Sequence, residues 1–113
     1  MRNDKERLRD INEAIEKIEK YVSFGYEAFA EDERTQVWII HHLQLIGEAS
    51  NHLSDELTEK YPDIPWADIV GLRNVLVHQY FGIDLRQVWE TAELDMPILK
   101  ANVRKILQDI NDI

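Results

Sequence analysis

Apolar residues recur every three or four positions along nearly the whole chain, and this spacing is what most constrains its fold. Near the start, the apolar positions form one narrow stripe, as on an amphipathic helix: Leu8, Ile11, Ile15, Ile18 and Val22. No stretch alternates apolar and polar residues for long enough to be a convincing strand. The sequence therefore predicts an all-α, up-and-down bundle of about four to five helices.

The first predicted helix begins at a pair of capping residues. Asn3 is followed three residues later by Glu6, and in such a pair each side chain satisfies a backbone N–H group at the helix start. The pair predicts a helix from about Asp4 to about Phe24. Gly25 lies where a residue in a left-handed conformation would end this helix, although residues 26–29 could instead continue a loose turn.

The second predicted helix is capped by Asp32 and is expected to be central to the core. Its apolar stripe is widened by Trp38, Ile39 and Leu45. Glycine inside a helix costs about 1 kcal/mol relative to alanine, so Gly47 suggests that another backbone packs closely there. The main apolar positions of this helix are Val37, Ile40, Leu43, Ile46, Ala49 and Leu53.

Two prolines interrupt the helical pattern and predict a loop over residues 58–65. Pro65 suits the first turn of the next helix, because its missing N–H group would have no intrahelical partner there. The third helix is therefore predicted from about Trp66 to about Tyr80, with Gly82 ending it.

The last part of the chain carries a further cap and a third proline. Asp84 predicts the start of a fourth helix. Asp95 together with Pro97 predicts the start of a last helix, but Pro97 could equally kink one long helix, and the sequence leaves both open. The apolar side of this last segment is predicted to hold Ile98, Val103, Ile106, Leu107 and Ile110.

Composition limits the class of protein. A chain of 113 residues suits one domain spanning residues 1–113. Its 13 basic and 22 acidic residues give a net charge of -9, which opposes non-specific attraction to nucleic acid or anionic membrane. The absence of cysteine excludes thiolate metal sites, and no apolar run approaches the roughly 20 residues of a membrane span. We expect a cytoplasmic protein without a membrane partner.

Three histidines of the second helix raise the question of a metal site. Among His41, His42 and His52, only His52 has a carboxylate one helical turn away, at Glu48. A metal site needs at least three converging ligands. We therefore expect no metal ion here, and expect these histidines to form a polar helix surface.

The predicted third helix gathers several reactive polar groups within an apolar segment. From Ile69 to Ile83, the only residue with a fixed charge is Arg73, which sets one cation apart from the many carboxylates. Arg73 and Tyr80 fall along one helix stripe, while Asn74 and His78 share a neighbouring stripe rotated by about 100°. These groups are predicted to project from a shallow, partly dry pocket.

The chemistry of these side chains suits cleavage of RNA without a metal ion. Arginine can clamp a phosphate with two parallel donors, and histidine can take up and return a proton near neutral pH. In such a site a 2′-hydroxyl attacks the adjacent phosphorus, His78 moves protons and Arg73 holds the charge of the pentacoordinate phosphate. Asn74 would orient His78 or a phosphate oxygen.

A purely structural interpretation of the same residues also exists. Arg73 could pair with Glu48 or Asp68 in the core, and His78 could pack against Phe81 as a core histidine. An arginine five residues before a histidine is by itself a weak pattern that arises easily by chance.

A longer pattern around these residues closely resembles the HepT-like branch of the HEPN superfamily. The run Ile64–Tyr80 includes the Arg-x4-His-x-Tyr motif of that family, without departure at the motif itself. Asp84 and Trp89 follow where the family has them. The resemblance covers most of the chain from about Trp38 to Leu99, including the segments Ile46–Ala49 and Leu94–Leu99.

The resemblance implies a ribonuclease toxin of a prokaryotic toxin–antitoxin pair that uses no cofactor. It implies a homodimer in which third-helix motifs of two protomers meet in one cleft, with RNA rather than DNA as substrate. Arg73 and His78 match the family's catalytic pair, and Asn74 matches its auxiliary polar position. Tyr80 matches the tyrosine that a cognate minimal nucleotidyltransferase antitoxin, of the MntA kind, modifies with AMP from ATP.

Two other functions fit the sequence. The protein could be a non-catalytic helical partner that binds substrate for a separate nucleotidyltransferase. It could also be a structural or adaptor bundle in which the motif merely packs. A dimer would reconcile the ribonuclease with the acidic charge, because two copies of Arg73 facing one groove would double the cation density there while the acidic first helices point away.

Overall fold

The computed structural model describes residues 3–78 and 84–111, and side chains within 3–73 and 84–110. No strand occurs among these residues, and most of them are helical. No helix in these ranges is long and apolar enough to cross a membrane. Tyr80 and Gly82 lie outside the described residues.

Within the described ranges, four long helical segments form the bundle, and short helices connect them. The predicted all-α architecture is confirmed, and the predicted third helix corresponds to α5. Contacts between helices concentrate where α3 packs on α1 and α5, and where α1 packs on α7. The elements are α1 (Asp4–Val22), α2 (Tyr26–Glu31), α3 (Glu33–Asn51), α4 (Asp55–Lys60), α5 (Trp66–His78), α6 (Leu85–Glu90), a π-helical turn (Thr91–Asp95) and α7 (Met96–Asn111).

Three helix starts are held by the predicted caps. The Asn3 side chain accepts from the backbone N–H of Glu6 at 3.0 Å, which fixes the start of α1. The Asp32 carboxylate accepts from the backbone N–H of Arg34 at 3.1 Å at the start of α3. Asp84 accepts from the backbone N–H groups of the first turn of α6. Each cap satisfies a donor that has no partner within its own helix.

The core confirms the predicted stripe of α1 but corrects that of α3. Val37 and Leu45 are 55% and 45% exposed, although both were expected in the core. Ile39, two positions after Val37, is fully buried instead. Residues two positions apart lie about 200° apart around a helix, so the part of the predicted stripe that runs through Val37 lies on the outer face, away from Ile39. The fully buried side chains of the two helices are Leu8, Ile11, Ile15, Ile18, Ile39, Leu43 and Ile46.

Two short helices occupy segments that the sequence predicted to be irregular. The loop predicted over residues 58–65 is wrong at its start, because α4 extends to Lys60. Ser54 caps α4, and burial of Leu57 anchors it to the core. Gly25 does adopt a positive φ, of 92°, but its ψ of 166° is extended, and α2 begins directly after it.

The last part of the chain is one continuous helical run through a π-helical turn. Asp95 lies inside this run, so it does not start a new helix. The N–H of Met96 donates to the carbonyl of Thr91, five residues back, just before Pro97, which has no N–H to donate. Ile98 is 64% exposed, and the prediction that it lines the core is wrong.

A glycine contact brings α3 and α5 together at backbone distance. A Cβ atom built on Gly47 would lie 2.7 Å from the backbone nitrogen of Arg73 and 3.2 Å from the carbonyl oxygen of Ile69. Real Cβ atoms essentially never lie under 3.0 Å from a neighbour, so the contact with the Arg73 nitrogen excludes a side chain here unless the helices shift. The predicted close approach of another backbone at Gly47 is confirmed, and that backbone carries Arg73.

Candidate active site

Arg73 projects from α5 to the surface beside the α3 helix. Its Nη1 donates to Oε2 of Glu48 at 2.8 Å, and the two side chains are 33% and 51% exposed. Although Arg73 has no charged neighbour in its own run of sequence, it pairs with Glu48, as the structural interpretation allowed, but at the surface and not in the core. Glu48 directly follows Gly47, so the contact that joins the two backbones also brings the carboxylate within reach.

Glu48 accepts a second hydrogen bond, from a histidine on its own helix. Nε2 of His52 lies 2.8 Å from Oε1 of Glu48, one helical turn away. The bond to Arg73, followed by that to His52, lowers the pKa of the Glu48 carboxyl below its usual value. An ionised carboxylate only accepts hydrogen bonds, so Nε2 of His52 carries the proton that it donates.

Most N–H groups of the Arg73 guanidinium have no hydrogen-bond partner among the described residues. Among the described residues, the bond to Glu48 is the only hydrogen bond made by its five N–H groups. The Nε atom is buried and has no partner in this part of the chain. Unsatisfied buried donors are rare in folded proteins and often occur at functional positions.

The remaining residues of the predicted site lie at or beyond the end of the described helix. Asn74 and His78 belong to α5, where their backbone positions are one helical turn apart, on a stripe next to that of Arg73. Their side chains, and Tyr80 altogether, fall outside the described parts of the structure. Their convergence with Arg73 stays a prediction.

One of the three histidines predicted to be polar surface is in fact buried. His42 is 5% exposed, and its Nδ1 lies 2.7 Å from the carbonyl oxygen of Trp38. Its ring packs on that of Trp38, with ring centroids 4.5 Å apart. The described residues contain no group of three histidine or carboxylate side chains arranged to hold a metal ion.

The sequence named Glu48 as one of two possible partners of Arg73 but gave His52 no part in this site. The spacing of Glu48 and His52 was considered only for a metal ion, for which two ligands are not enough. The sequence did contain a signal for Glu48. Gly47 predicted that another backbone packs closely there, and Glu48 directly follows Gly47 within a segment that resembles the family. The identity of the partner helix could not be obtained from periodicity.

Comparisons with known proteins extend over most of the chain. The family model described as "Ribonuclease HepT-like" matches residues 11–106. A probable ribonuclease HepT of Thermococcus cleftensis is 40% identical over 106 residues, which are 93% of this chain and 96% of that protein. A protein of Methanocaldococcus jannaschii, provisionally named an RNase, is 38% identical over 91% of this chain and 86% of its own length.

A bacterial relative gives the same result. A protein of Caldanaerobacter subterraneus, also provisionally named an RNase, is 37% identical over 80% of this chain and 81% of its own. No solved structure matches the chain significantly. The family model and these relatives cover both α3 with Glu48 and α5 with Arg73. The chain therefore belongs to the ribonuclease HepT-like family.

Proposed function

We propose that this protein is a metal-independent endoribonuclease whose catalytic residues are Arg73 and His78. The observation that carries the proposal is Arg73 itself, a partly exposed guanidinium in a chain of this family that, among the described residues, uses only one of its donors. Family membership supports the activity. The partial exposure of the Arg73 guanidinium supports a phosphate-binding site at this position.

The reaction requires two proton movements and one exchange of bonds at phosphorus. A 2′-oxygen bonds to the adjacent phosphorus as its proton leaves, and the bond from phosphorus to the 5′-oxygen breaks as that oxygen gains a proton. The products are a 2′,3′-cyclic phosphate and a 5′-hydroxyl end. His78 transfers protons, Arg73 stabilises the phosphorane charge, and Asn74 orients His78 or a phosphate oxygen.

The active form in this proposal is a homodimer with α5 motifs of both protomers in one cleft. A single chain with net charge -9 is a poor binder of RNA, whereas two Arg73 side chains in one groove raise the local cation density. The exposed apolar side chains Val37 and Leu45 on α3, the helix that also carries Glu48, support contact with a second copy.

The biological role in this proposal is that of a cytoplasmic toxin held inactive by an antitoxin. A cognate MntA-like nucleotidyltransferase would transfer AMP from ATP to the phenolic oxygen of Tyr80, releasing pyrophosphate. Tyr80 lies seven residues after Arg73, so on a continued helix the added phosphate would compete for the anion site of Arg73. The support is the family resemblance of the motif.

The second candidate function is a non-catalytic partner of a nucleotidyltransferase. The ion pair between Arg73 and Glu48 favours this alternative, because a carboxylate already occupies one donor of the guanidinium. In that case the protein binds the transferase but cuts no RNA.

The direct experiment compares RNA cleavage by purified wild-type protein, Arg73→Ala and His78→Ala in buffer containing a chelator. We expect cleavage by the wild type and losses of about 100-fold or more in both variants, as is typical on removing a proton-transfer or charge-stabilising group. Arg104→Ala, which removes an exposed arginine of α7, is the matched control and should retain activity.

Circular dichroism and thermal unfolding of each variant separate lost chemistry from lost fold. A wild-type protein that cuts no RNA, or cleavage that is unchanged in both variants, refutes the ribonuclease. Sedimentation tests the homodimer. Mass spectrometry after incubation with the transferase and ATP tests AMP addition, which should disappear in Tyr80→Phe.

A further inference from the structure

Glu48 is held between two hydrogen-bond donors that use both of its oxygens. Oε2 accepts from Nη1 of Arg73 and Oε1 accepts from Nε2 of His52, each at 2.8 Å. Two bonds to different oxygens define the orientation of the carboxylate more narrowly than one would. The guanidinium of Arg73 is therefore bonded to a group whose own position is determined.

The backbone supports the same arrangement. Arg73 and Glu48 are 25 residues apart in sequence and lie on different helices. The contact of Gly47 with the Arg73 backbone leaves no room for a Cβ atom, so the backbones of α3 and α5 pack directly against each other here. The pair is thus a consequence of helix packing, unlike an ion pair between neighbours on one exposed helix.

A carboxylate beside an anion-binding arginine can act in two opposite ways. It can compete with phosphate for the guanidinium, or it can position the guanidinium for phosphate. A carboxylate that mimics phosphate forms two parallel bonds to the arginine fork. Glu48 instead makes one bond to Arg73 and directs its other oxygen to His52, so that no other described residue takes up the remaining donors of the guanidinium.

Resting on the proposed ribonuclease activity, we infer that Glu48 is a positioning residue that holds Arg73 in the orientation needed for the transition state. An arginine side chain has several rotatable bonds, and a free one samples many rotamers at the surface. The bond to Glu48 removes much of this freedom before RNA binds. Arg73 can then meet the developing charge without reorganising at the moment of reaction.

His52 has a subordinate part in this arrangement. Its bond to Oε1 limits rotation of the Glu48 carboxylate, and His52 itself makes no direct bond to Arg73 among the described contacts. Removing the histidine should loosen Glu48 without removing the acceptor for Arg73. We expect His52→Ala to reduce kcat by less than Glu48→Ala does.

The test measures kcat and KM for a fluorophore–quencher RNA oligonucleotide of mixed sequence, in chelator, for wild type, Glu48→Ala and Glu48→Gln. We expect Glu48→Ala to lower kcat by about tenfold or more, since small misplacements of catalytic groups have large effects on rate. Glu48→Gln removes the same charge but keeps an oxygen that accepts from Nη1, so it should retain most of kcat. Glu59→Ala, an exposed glutamate of α4, is the charge-matched control.

Three results overturn the inference. An unchanged kcat in Glu48→Ala means that Arg73 needs no positioning. A higher kcat/KM in both Glu48 variants means that the carboxylate competes with phosphate. Equal losses in Glu48→Ala and Glu48→Gln mean that the negative charge, not the hydrogen bond, matters.

A second measurement does not depend on activity. Nitrogen-15 NMR of the Arg73 guanidinium should show hindered rotation in wild type and in Glu48→Gln, and free rotation in Glu48→Ala. Free rotation in the wild type overturns the positioning role. Hindered rotation in a wild-type protein that cuts no RNA refutes the ribonuclease while leaving the Glu48 contact established.

Discussion

Gly47 determines how closely the helix carrying Glu48 approaches the helix carrying Arg73. The alanine Cβ in Gly47→Ala would lie 2.7 Å from the Arg73 backbone nitrogen, so the two helices must separate. Such overpacking costs about 1–3 kcal/mol of unfolding free energy. We expect this loss in urea denaturation, together with a lower rate of RNA cleavage because the Glu48–Arg73 contact lengthens.

A glycine on α5 provides the control. A Cβ atom on Gly71 would meet no heavy atom within 4 Å, so Gly71→Ala should gain helix propensity worth up to about 1 kcal/mol. If Gly47→Ala proves as stable and active as Gly71→Ala, the close contact of α3 and α5 does not hold in solution.

His42 makes stability depend on pH. Burial, as the largest effect, lowers the pKa of His42 below 6.5, the Trp38 carbonyl acts in the opposite direction, and His41 and Lys17 lower it further. The unfolded chain therefore binds a proton on this residue more readily than the folded chain does. Its contribution to stability is complete above pH 6.5 and is lost as pH falls from there towards the folded pKa.

The measurement is the free energy of unfolding in urea between pH 7.5 and 5.5, for wild type and His42→Gln. We expect the wild type to lose more stability on acidification than the variant, which cannot take up this proton. Equal losses in the two proteins would show that His42 is not the group responsible.

At the scale of the helix, Asp32 holds the start of α3. Its carboxylate accepts from the Arg34 backbone N–H and from the Thr35 hydroxyl, at 3.1 and 2.8 Å. Asp32→Ala should lower the free energy of unfolding by about 0.5–2 kcal/mol, the usual cost of losing a cap. Glu31→Ala removes an equal charge one position earlier, and a similar loss there would point to charge instead of capping.

Local sequence signals predicted α1, α3, α5 and α6 but missed the short helices α2 and α4. Asn3, Asp32 and Asp84 were predicted as caps because a cap depends on residues within one turn. The stripe of α1 was predicted correctly because its apolar positions leave one choice of face. On α3, apolar residues surround more of the helix, and only tertiary packing decides that Ile39 is buried and Val37 is exposed.

The candidate site was predictable only in part, because its contacts join distant segments. Arg73 was identified from its isolation in an apolar run and from the family motif. Its pairing with Glu48 was one of two structural alternatives, since nothing in the sequence fixes the register of α5 on α3. The burial of His42 likewise depends on how its ring packs against the Trp38 ring, and this packing is not evident from the sequence.

At the scale of the whole molecule, the charge of -9 limits how RNA can be bound. If the contacts are two Arg73 side chains of a dimer, about two phosphates are neutralised. The logarithm of affinity should then fall with the logarithm of salt concentration at a slope of about -1.4 for single-stranded RNA.

Fluorescence anisotropy of labelled RNA with His78→Ala, which should bind without cutting, measures this slope. A slope steeper than about -4 would mean that other cationic groups dominate binding. In that case the groove around Arg73 would not be the principal RNA-binding surface.

The most direct test of the proposed activity uses two RNA oligonucleotides that differ by one atom. One contains a mapped cleavage site, and the other has a single 2′-deoxy substitution at that site. In buffer containing a chelator, we expect the wild-type protein to cleave the first oligonucleotide, leaving a 2′,3′-cyclic phosphate end, and not to cleave the second. We expect Arg73→Ala to cleave neither oligonucleotide. Cleavage at the 2′-deoxy linkage, or cleavage that requires an added metal ion, would contradict the mechanism.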